Sequence, residues 1–274
     1  MLSIAKAHAY GNDFLFVPAE QVEGLRLDEL TRRLCNRHTG LGSDGVIYYT
    51  MAPDGTAQMK LINTDGSPSE LSGNGLRCLA ALVMHRREAA RLAPISEVRV
   101  DTDAGWKTLV LVSRAGGRYT FRAALGHPER VVEESLEAAG ETLTVTTLAI
   151  GNPQCVALMT ELPDMARFHR LGPALATHPR FAEGSNVEFA VVEAPDRVRI
   201  LIWERGVGPT HASGTGASAS AIAAIAHGGA ARDLQVIAPG GTQRVEWTAD
   251  GIFLTGWAEV VVDGHWVPSC SDLS

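Results

Sequence analysis

The chain has 274 residues, 45% hydrophobic and 20% charged, with a formal net charge of −7; this is the composition of an ordinary globular protein, long enough for two domains of about 100–150 residues. The scattered basic residues make no stripe for a nucleic acid, no apolar run reaches the roughly 18 residues needed to cross a bilayer, and "MLSIAKAHAYGNDF", interrupted by Lys6 and His8, lacks a signal-peptide layout, so a cytoplasmic location is expected. In chain order, periodicity predicts a helix over Leu27–Asn36 and another over Gly75–Ala90. Strands follow at Glu97–Val100, Lys107–Val112 and Arg118–Ala123, with turns at Ala104-Gly105 and Gly116-Gly117. A strand at Thr142–Thr147 precedes a helix at Leu162–Leu171, and strands at Val187–Val192 and Val198–Trp203 precede a helix at Thr215–Ala226. The last strands are Leu234–Ala238, Gln243–Trp247, Ile252–Thr255 and Ala258–Val262, with turns at Gly240-Gly241 and Asp250-Gly251. Helices interspersed with antiparallel strands define an α+β class.

Four cysteines, Cys35, Cys78, Cys155 and Cys270, lie far apart with no C-x-x-C spacing, which makes them free thiols in a reducing compartment. The histidines form no H-x-x-x-H pair, so no metal is expected.

The chain repeats itself. "GNDF" at Gly11 and "GNPQ" at Gly151 are 140 residues apart; Asn63 and Glu204, each closing a strand, are 141 apart, as are Ser72 and Ser213. "LGSDGVIYY" at Leu41 and "EGSNVEFAV" at Glu183 are 142 apart. Four landmarks in one order at nearly one spacing imply two homologous halves of the same fold. The expected division is residues 1–116 with about 260–274, and residues 117–259. Two such domains would form a cleft near a pseudo-twofold axis, a preferred ligand site.

Ser72 and Ser213 each precede Gly-x-Gly and an apolar helical run, in "SGNGLRC" and "SGTGASA". Taken singly, such a serine is an N-cap, and a glycine-rich helix start is an anion cradle. "GTGASA" also matches a dinucleotide fingerprint, but "ERGVGPTHAS" separates it from the preceding strand and no acidic residue closes the following one. Taken as a pair on opposite walls, two residues that give and take protons suit inversion at a carbon, one removing the α-proton and the other returning a proton to the opposite face. Asn12, Asn63, Asn74, Asn152 and Asn186 offer both donors and acceptors. Glu204 and Arg205 offer partners for an ammonium and a carboxylate.

The segments "GNDF", "NRHTGLGSDGV", "NTDGSPSELSGNGLRC", "GNPQCV", "EGSNVEF", "ERGVG" and "SGTGASA" together resemble the diaminopimelate epimerase family over essentially the full length. The resemblance implies two similar α/β domains, each a mainly antiparallel sheet around a central helix, in a homodimer without metal or organic cofactor. It also implies interconversion of LL- and meso-diaminopimelate, on the way to lysine and peptidoglycan. The family's substrate contacts fall on Asn12, Asn63, Gly73, Asn74, Asn152, Asn186, Glu204, Arg205, Gly214 and Thr215, and its two catalytic positions on Ser72 and Ser213.

In the family pattern both catalytic positions are cysteine. Gln154 stands where the pattern has histidine, Gly45 where it often has glutamine, and "HAYGNDF" replaces "HGLGNDF". A helix dipole contributes up to ~2 kcal/mol, or about 1.5 pKa units. That brings a thiol near neutrality from its pKa of about 8.5 but leaves an alcohol far from ionised, and a serine needs an adjacent base. A two-serine site is therefore expected to be a slow epimerase. Cys78, about one and two-thirds turns beyond Ser72, is expected to point elsewhere, and Cys155, in a strand-like apolar run, is expected in the core. Two other readings of the scaffold stand beside epimerisation: another cofactor-independent racemase or isomerase, or an amino-acid-binding protein without catalysis.

Overall fold

The computed structural model describes residues 1–69, 72–103 and 105–267; Ala104 of the expected turn, Cys270 and the chain beyond Val267 lie outside the described residues. The elements run β1 (Leu2–Ala9), β2 (Asn12–Pro18), α1 (Leu27–Cys35), β3 (Gly45–Met51), β4 (Ala57–Asn63), β5 (Pro68–Ser69), α2 (Gly73–Ala89), β6 (Glu97–Asp101), β7 (Lys107–Ala115) and β8 (Arg118–Gly126). They continue β9 (Glu129–Ala138), β10 (Glu141–Ala149), β11 (Pro153–Leu158), α3 (Met165–Ala176), β12 (Asn186–Ala194), β13 (Arg197–Glu204), β14 (Gly208–Thr210), α4 (Gly214–His227), β15 (Asp233–Ala238), β16 (Gly241–Thr248) and β17 (Gly251–Trp266). The class is α+β, as the sequence predicts.

The chain divides into two compact units, Met1–Ala123 with Gly256–Ser274, and Ala124–Thr255. The Gly116-Gly117 turn, where the sequence sets the divide, is the hairpin between β7 and β8, and β8 stays in the first unit to Ala123.

Both units follow one pairing plan. In the first, β1–β2 and β3–β4 are antiparallel, whereas β2–β3 and β4–β6 are parallel. In the second, β10–β11 and β12–β13 are antiparallel, whereas β11–β12 and β13–β15 are parallel. Parallel neighbours need a crossover, and the four helices supply them: α1 and α3 for the first parallel pair of each unit, α2 and α4 for the second. The two helix types differ as their sequences do. α4, and α2 as far as Met84, are apolar or small on nearly every face and are buried almost all round. In α4, Ala217, Ala219, Ala221, Ile222, Ala223 and Ala224 pack against Val198, Ile200, Val236, Val245 and Leu254 of the surrounding strands. By contrast, α1 and α3 bury one stripe each, Leu30 and Leu34 on α1, Phe168, Leu171 and Leu175 on α3.

Several predicted boundaries move. β1 to β5, β9, β11 and β14 are strands additional to the predicted ones. α3 begins at Met165, after an Asp164 cap that accepts from Arg167 N at 2.8 Å, and runs through Pro173 to Ala176. The turns expected at Gly240-Gly241 and Asp250-Gly251 are the pairs Pro239-Gly240 and Ala249-Asp250, closed by Ala238↔Gly241 and Thr248↔Gly251. The strands predicted at Ile252–Thr255 and Ala258–Val262 are one continuous β17. Gly256 between them is no break: a Cβ there would lie 3.0 Å from Tyr10 Oη and 3.3 Å from Arg77 Nε, so glycine serves a close approach inside the strand. Tyr10 itself turns β1 into β2 with Gly11, both at positive φ (57° and 90°), the two-residue turn whose twist suits a hairpin. The Tyr10 hydroxyl accepts from Trp257 N at 3.1 Å, which anchors the residue in that conformation. No helix among the described residues is long and apolar enough to cross a membrane.

Candidate functional site

In the first unit the site residues gather at the start of α2 and the ends of β2 and β4. Ser72 has extended backbone (φ −130°, ψ 121°) and caps α2, its Oγ accepting from Gly75 N at 3.1 Å. Gly73 follows, and among the described residues nothing beyond its chain neighbours and own helix backbone lies within 4 Å of where a Cβ would be. Asn74, in the first turn of α2, is buried; its Nδ2 donates to Asn12 Oδ1 at 3.1 Å, and its Oδ1 accepts from the Arg77 guanidinium. Asn12 Nδ2 in turn donates to Asp44 Oδ2 at 2.8 Å, and Arg37 Nη2 donates to Asp44 Oδ1 at 2.9 Å. A chain of bonds from Arg77 to Arg37 thus fixes which end of each asparagine amide points where. Asn63 closes β4 opposite Gly45, and its Nδ2 donates to Ser67 Oγ at 3.1 Å.

The second unit repeats the plan. Ser213 (φ −133°, ψ 129°) caps α4, its Oγ accepting from Gly216 N at 3.1 Å and lying 3.4 Å from Thr215 Oγ1. Gly214 is the first residue of that helix. Asn186 opens β12, and its Oδ1 accepts from Arg205 N at 2.9 Å. Glu204 closes β13 opposite Gly208, and Arg205 Nη1 donates to Glu183 O at 2.8 Å. Asn152 Oδ1 accepts from the amide of Gln154.

Each serine therefore stands at the positive end of a buried helix, where backbone N–H groups and the dipole favour a carboxylate. Each also caps its helix, and the two roles are compatible. Replacing Ser72 or Ser213 singly by alanine is expected to lower stability by about 1 kcal/mol, the usual worth of such a cap; thermal unfolding that leaves either variant unchanged would exclude the capping role.

The thiols near these helices are out of play. Cys78 and Cys155 are fully buried, and burial pushes both thiols up, away from thiolate. Among the described residues no group of three His, Cys, Asp or Glu side chains is arranged to hold a metal ion.

Three contributors escape motif reading. Asp44 and Arg77 hold the asparagines of the first unit. Glu188, in the middle of "NVEF", is fully buried beside Gln154. A visible signal for Glu188 is its place between Val187 and Phe189 in an otherwise apolar run.

A family model described as Diaminopimelate epimerase matches residues 4–123 and 146–261. The diaminopimelate epimerase of Desulforudis audaxviator (strain MP104C) is 37% identical over 286 residues, spanning 97% of this chain and 99% of its own. That of Desulfitobacterium hafniense (strain DSM 10664 / DCB-2) is 37% identical over 281 residues, spanning 96% and 97%. Among solved structures, a hydroxyproline epimerase from Agrobacterium vitis superposes with a TM-score of 0.68 at 17% identity, covering 96% of this chain and 90% of that one, a likeness of fold.

Proposed function

The chain belongs to the diaminopimelate epimerase family, and we propose that it binds diaminopimelate and interconverts the LL and meso forms by proton transfer at the α-carbon, with Ser72 and Ser213 in the two proton-transfer positions. The observation that carries this reading is the repetition of one device: a serine-capped, glycine-rich start of a buried helix at equivalent places in the two halves. One position removes the α-proton and the other delivers a proton to the opposite face, so the reaction is balanced without redox change. Asn12, Asn63, Gly73, Asn74, Asn152, Asn186, Glu204, Arg205, Gly214 and Thr215 hold the substrate. The helix starts and Arg205 take carboxylate, Glu204 takes ammonium, and the asparagine amides take whichever partner each end requires. The reading includes a homodimer in the cytoplasm that needs neither metal nor organic cofactor.

The serines favour a second reading, binding without appreciable catalysis, because an alcohol is a far weaker acid than a thiol and Gln154 supplies no base. Isothermal titration with LL- and meso-diaminopimelate, followed by α-hydrogen exchange in D₂O observed by NMR, separates the two. Heat with both isomers and slow exchange is the expected result. Binding without exchange selects the second reading, and the absence of heat with either isomer removes the substrate.

A further inference from the structure

Beneath the first turn of α4 lies a carboxyl that the other half lacks. Glu188 is completely buried on β12, in parallel register with Val156 of β11, two residues beyond the Gln154↔Asn186 pair. A Cβ on Gly216 would lie 2.4 Å from Glu188 Oε1 and 3.1 Å from Ser213 Cβ, so the carboxyl and the serine flank the same glycine. At the equivalent glycine of the first unit, Gly75, a Cβ would lie 2.9 Å from Ile47 Cδ1 and 3.3 Å from Ser72 Cβ. Ile47 stands 141 residues before Glu188, and Phe14 stands 140 before Gln154, as Asn12 does before Asn152. One half thus builds this spot from Phe14 and Ile47, the other from Gln154 and Glu188. An apolar pair suffices for the fold, and burying an acid costs stability, so the polar pair has another purpose.

The Gln154 amide connects that carboxyl to the site. One end of the amide lies 3.1 and 3.3 Å from the Glu188 oxygens; the other lies 3.2 Å from Asn186 Nδ2, 3.3 Å from Thr215 Oγ1 and against Asn152 Oδ1. We propose that Glu188 is a positioning residue: through Gln154, the proton it holds or releases sets which polar atoms Asn152, Asn186 and Thr215 present to the substrate. The role of those three residues rests on the function proposed above.

The two states follow from donor and acceptor counting. A protonated carboxyl donates its O–H to the Gln154 oxygen, and the amide nitrogen faces outward and donates to Asn152 Oδ1. A carboxylate requires the nitrogen instead; the amide oxygen then turns outward to accept from Asn186 Nδ2 and the Thr215 hydroxyl, and the Asn152 amide turns to present its Nδ2 in place of Oδ1. One proton exchanges a donor for an acceptor where three site residues converge. Burial, and after it the charge of Glu204 at the end of β13, hold the Glu188 carboxyl well above the usual carboxylate range, which favours the protonated state. From β11 the titratable neighbour is the Cys155 thiol, itself pushed up by burial and then by Glu188; α4 contributes Gly216 and the Ser213 hydroxyl.

The raised carboxyl also marks stability. Between the unfolded glutamate range and the higher folded one, the native state keeps a proton the unfolded chain has lost, so this contribution is full at low pH and fades as pH rises through that window.

The test uses the intact protein labelled with ¹⁵N-glutamine, without substrate, the Gln154 side-chain resonance being assigned by its loss in Gln154→Leu. From mildly acidic to mildly alkaline pH that resonance is expected to shift in the wild type and to stay still in Glu188→Gln, and the variant is expected to lose less thermal stability towards alkaline pH. Glu188→Ile, which restores the residue of the other half, serves if Glu188→Gln does not fold, with the same still resonance expected. A wild-type resonance that does not move, or one that moves equally in the variants, overturns the proposal. With meso-diaminopimelate added, Kd is expected to vary with pH in the wild type and to be flat in Glu188→Gln; equal pH dependence in both overturns the positioning role. A resonance that titrates as expected in a protein that binds neither isomer leaves the Glu188–Gln154 coupling standing, overturns its link to the substrate, and removes the function proposed above.

Discussion

Replacing Ser72 and Ser213 together by cysteine is expected to raise α-hydrogen exchange on diaminopimelate in D₂O by about 10²–10⁴-fold, the span that a positioned acid–base pair contributes. The helix starts beneath the two side chains are already suited to a thiolate. Each position heads a helix whose first and third residues are glycine, and each hydroxyl accepts a backbone N–H at 3.1 Å. A sulfur in its place would be stabilised as an anion by the same donor and by the helix dipole. The hydroxyl gains at most the same ~2 kcal/mol but starts from a much higher pKa, so it stays protonated and abstracts poorly. Single replacements should behave asymmetrically, each one speeding loss of the α-hydrogen from a different stereoisomer, because each supplies a base to one face only. NMR of both isomers with all three variants reads this directly. No rise in the double variant would mean that the site has diverged beyond these two atoms, and Gln154 is the next place to look.

The second large effect concerns Gly40, and its readout is stability. A Cβ on Gly40 would lie 2.1 Å from Arg33 O, 2.7 Å from Leu34 O and 2.9 Å from Asn36 O, all backbone atoms in or next to the last turn of α1. The loop after that helix folds back to satisfy its final carbonyls: Gly40 N donates to Asn36 O, and Leu41 N and Gly42 N donate to Leu34 O. Backbone cannot step aside as a side chain can. Gly40→Ala is therefore expected to combine overpacking with lost hydrogen bonds, for roughly 3–5 kcal/mol, a large share of a typical total of about 5–15 kcal/mol. The same loop carries Arg37 and Asp44, which orient Asn12, so the damage would reach the substrate side. Gly73→Ala is the control, since among the described residues no atom beyond its chain neighbours and its own helix backbone lies within 4 Å of the added methyl. Denaturant unfolding measures both; a loss below about 1 kcal/mol for Gly40→Ala would contradict the steric argument.

Those two glycines look alike in the sequence, and the contrast shows where reading stops. The helices α1, α2 and α4 were legible from periodicity, and the 141-residue offset paired Ser72 with Ser213. Spacing within a motif survives divergence because the backbone has to make the same turn. The strands β1 to β4 were harder. β1 alternates buried positions with half-buried ones that carry Lys6 and His8, and its turn uses Tyr10, which does not announce positive φ as glycine does. Gly256 misled for the opposite reason: it resembles a break and is a contact. Glu188 stands out as an acid in an apolar run, but its role was hidden because it depends on what lies across the strand and beneath the next helix, which no local pattern encodes. The asparagines were legible as a set, but the bonds that orient them run through Asp44 and Arg77, separated from Asn12 by 32 and from Asn74 by only three positions.

The path of β17 has a consequence for the order in which the chain is finished. The second unit is a continuous stretch, Ala124–Thr255, whereas the first borrows its remaining strand from beyond it, Glu259–Trp266 pairing with Leu2–His8. During synthesis the later half is thus the one whose sheet is complete as soon as it emerges. The N-terminal half, although made earlier, waits with the outer edge of β1 unpaired until the stretch up to Trp266 has left the ribosome. The usual N-to-C order of domain completion is reversed here, and the interval during which that edge is open to other chains is set by the time needed to translate the second unit.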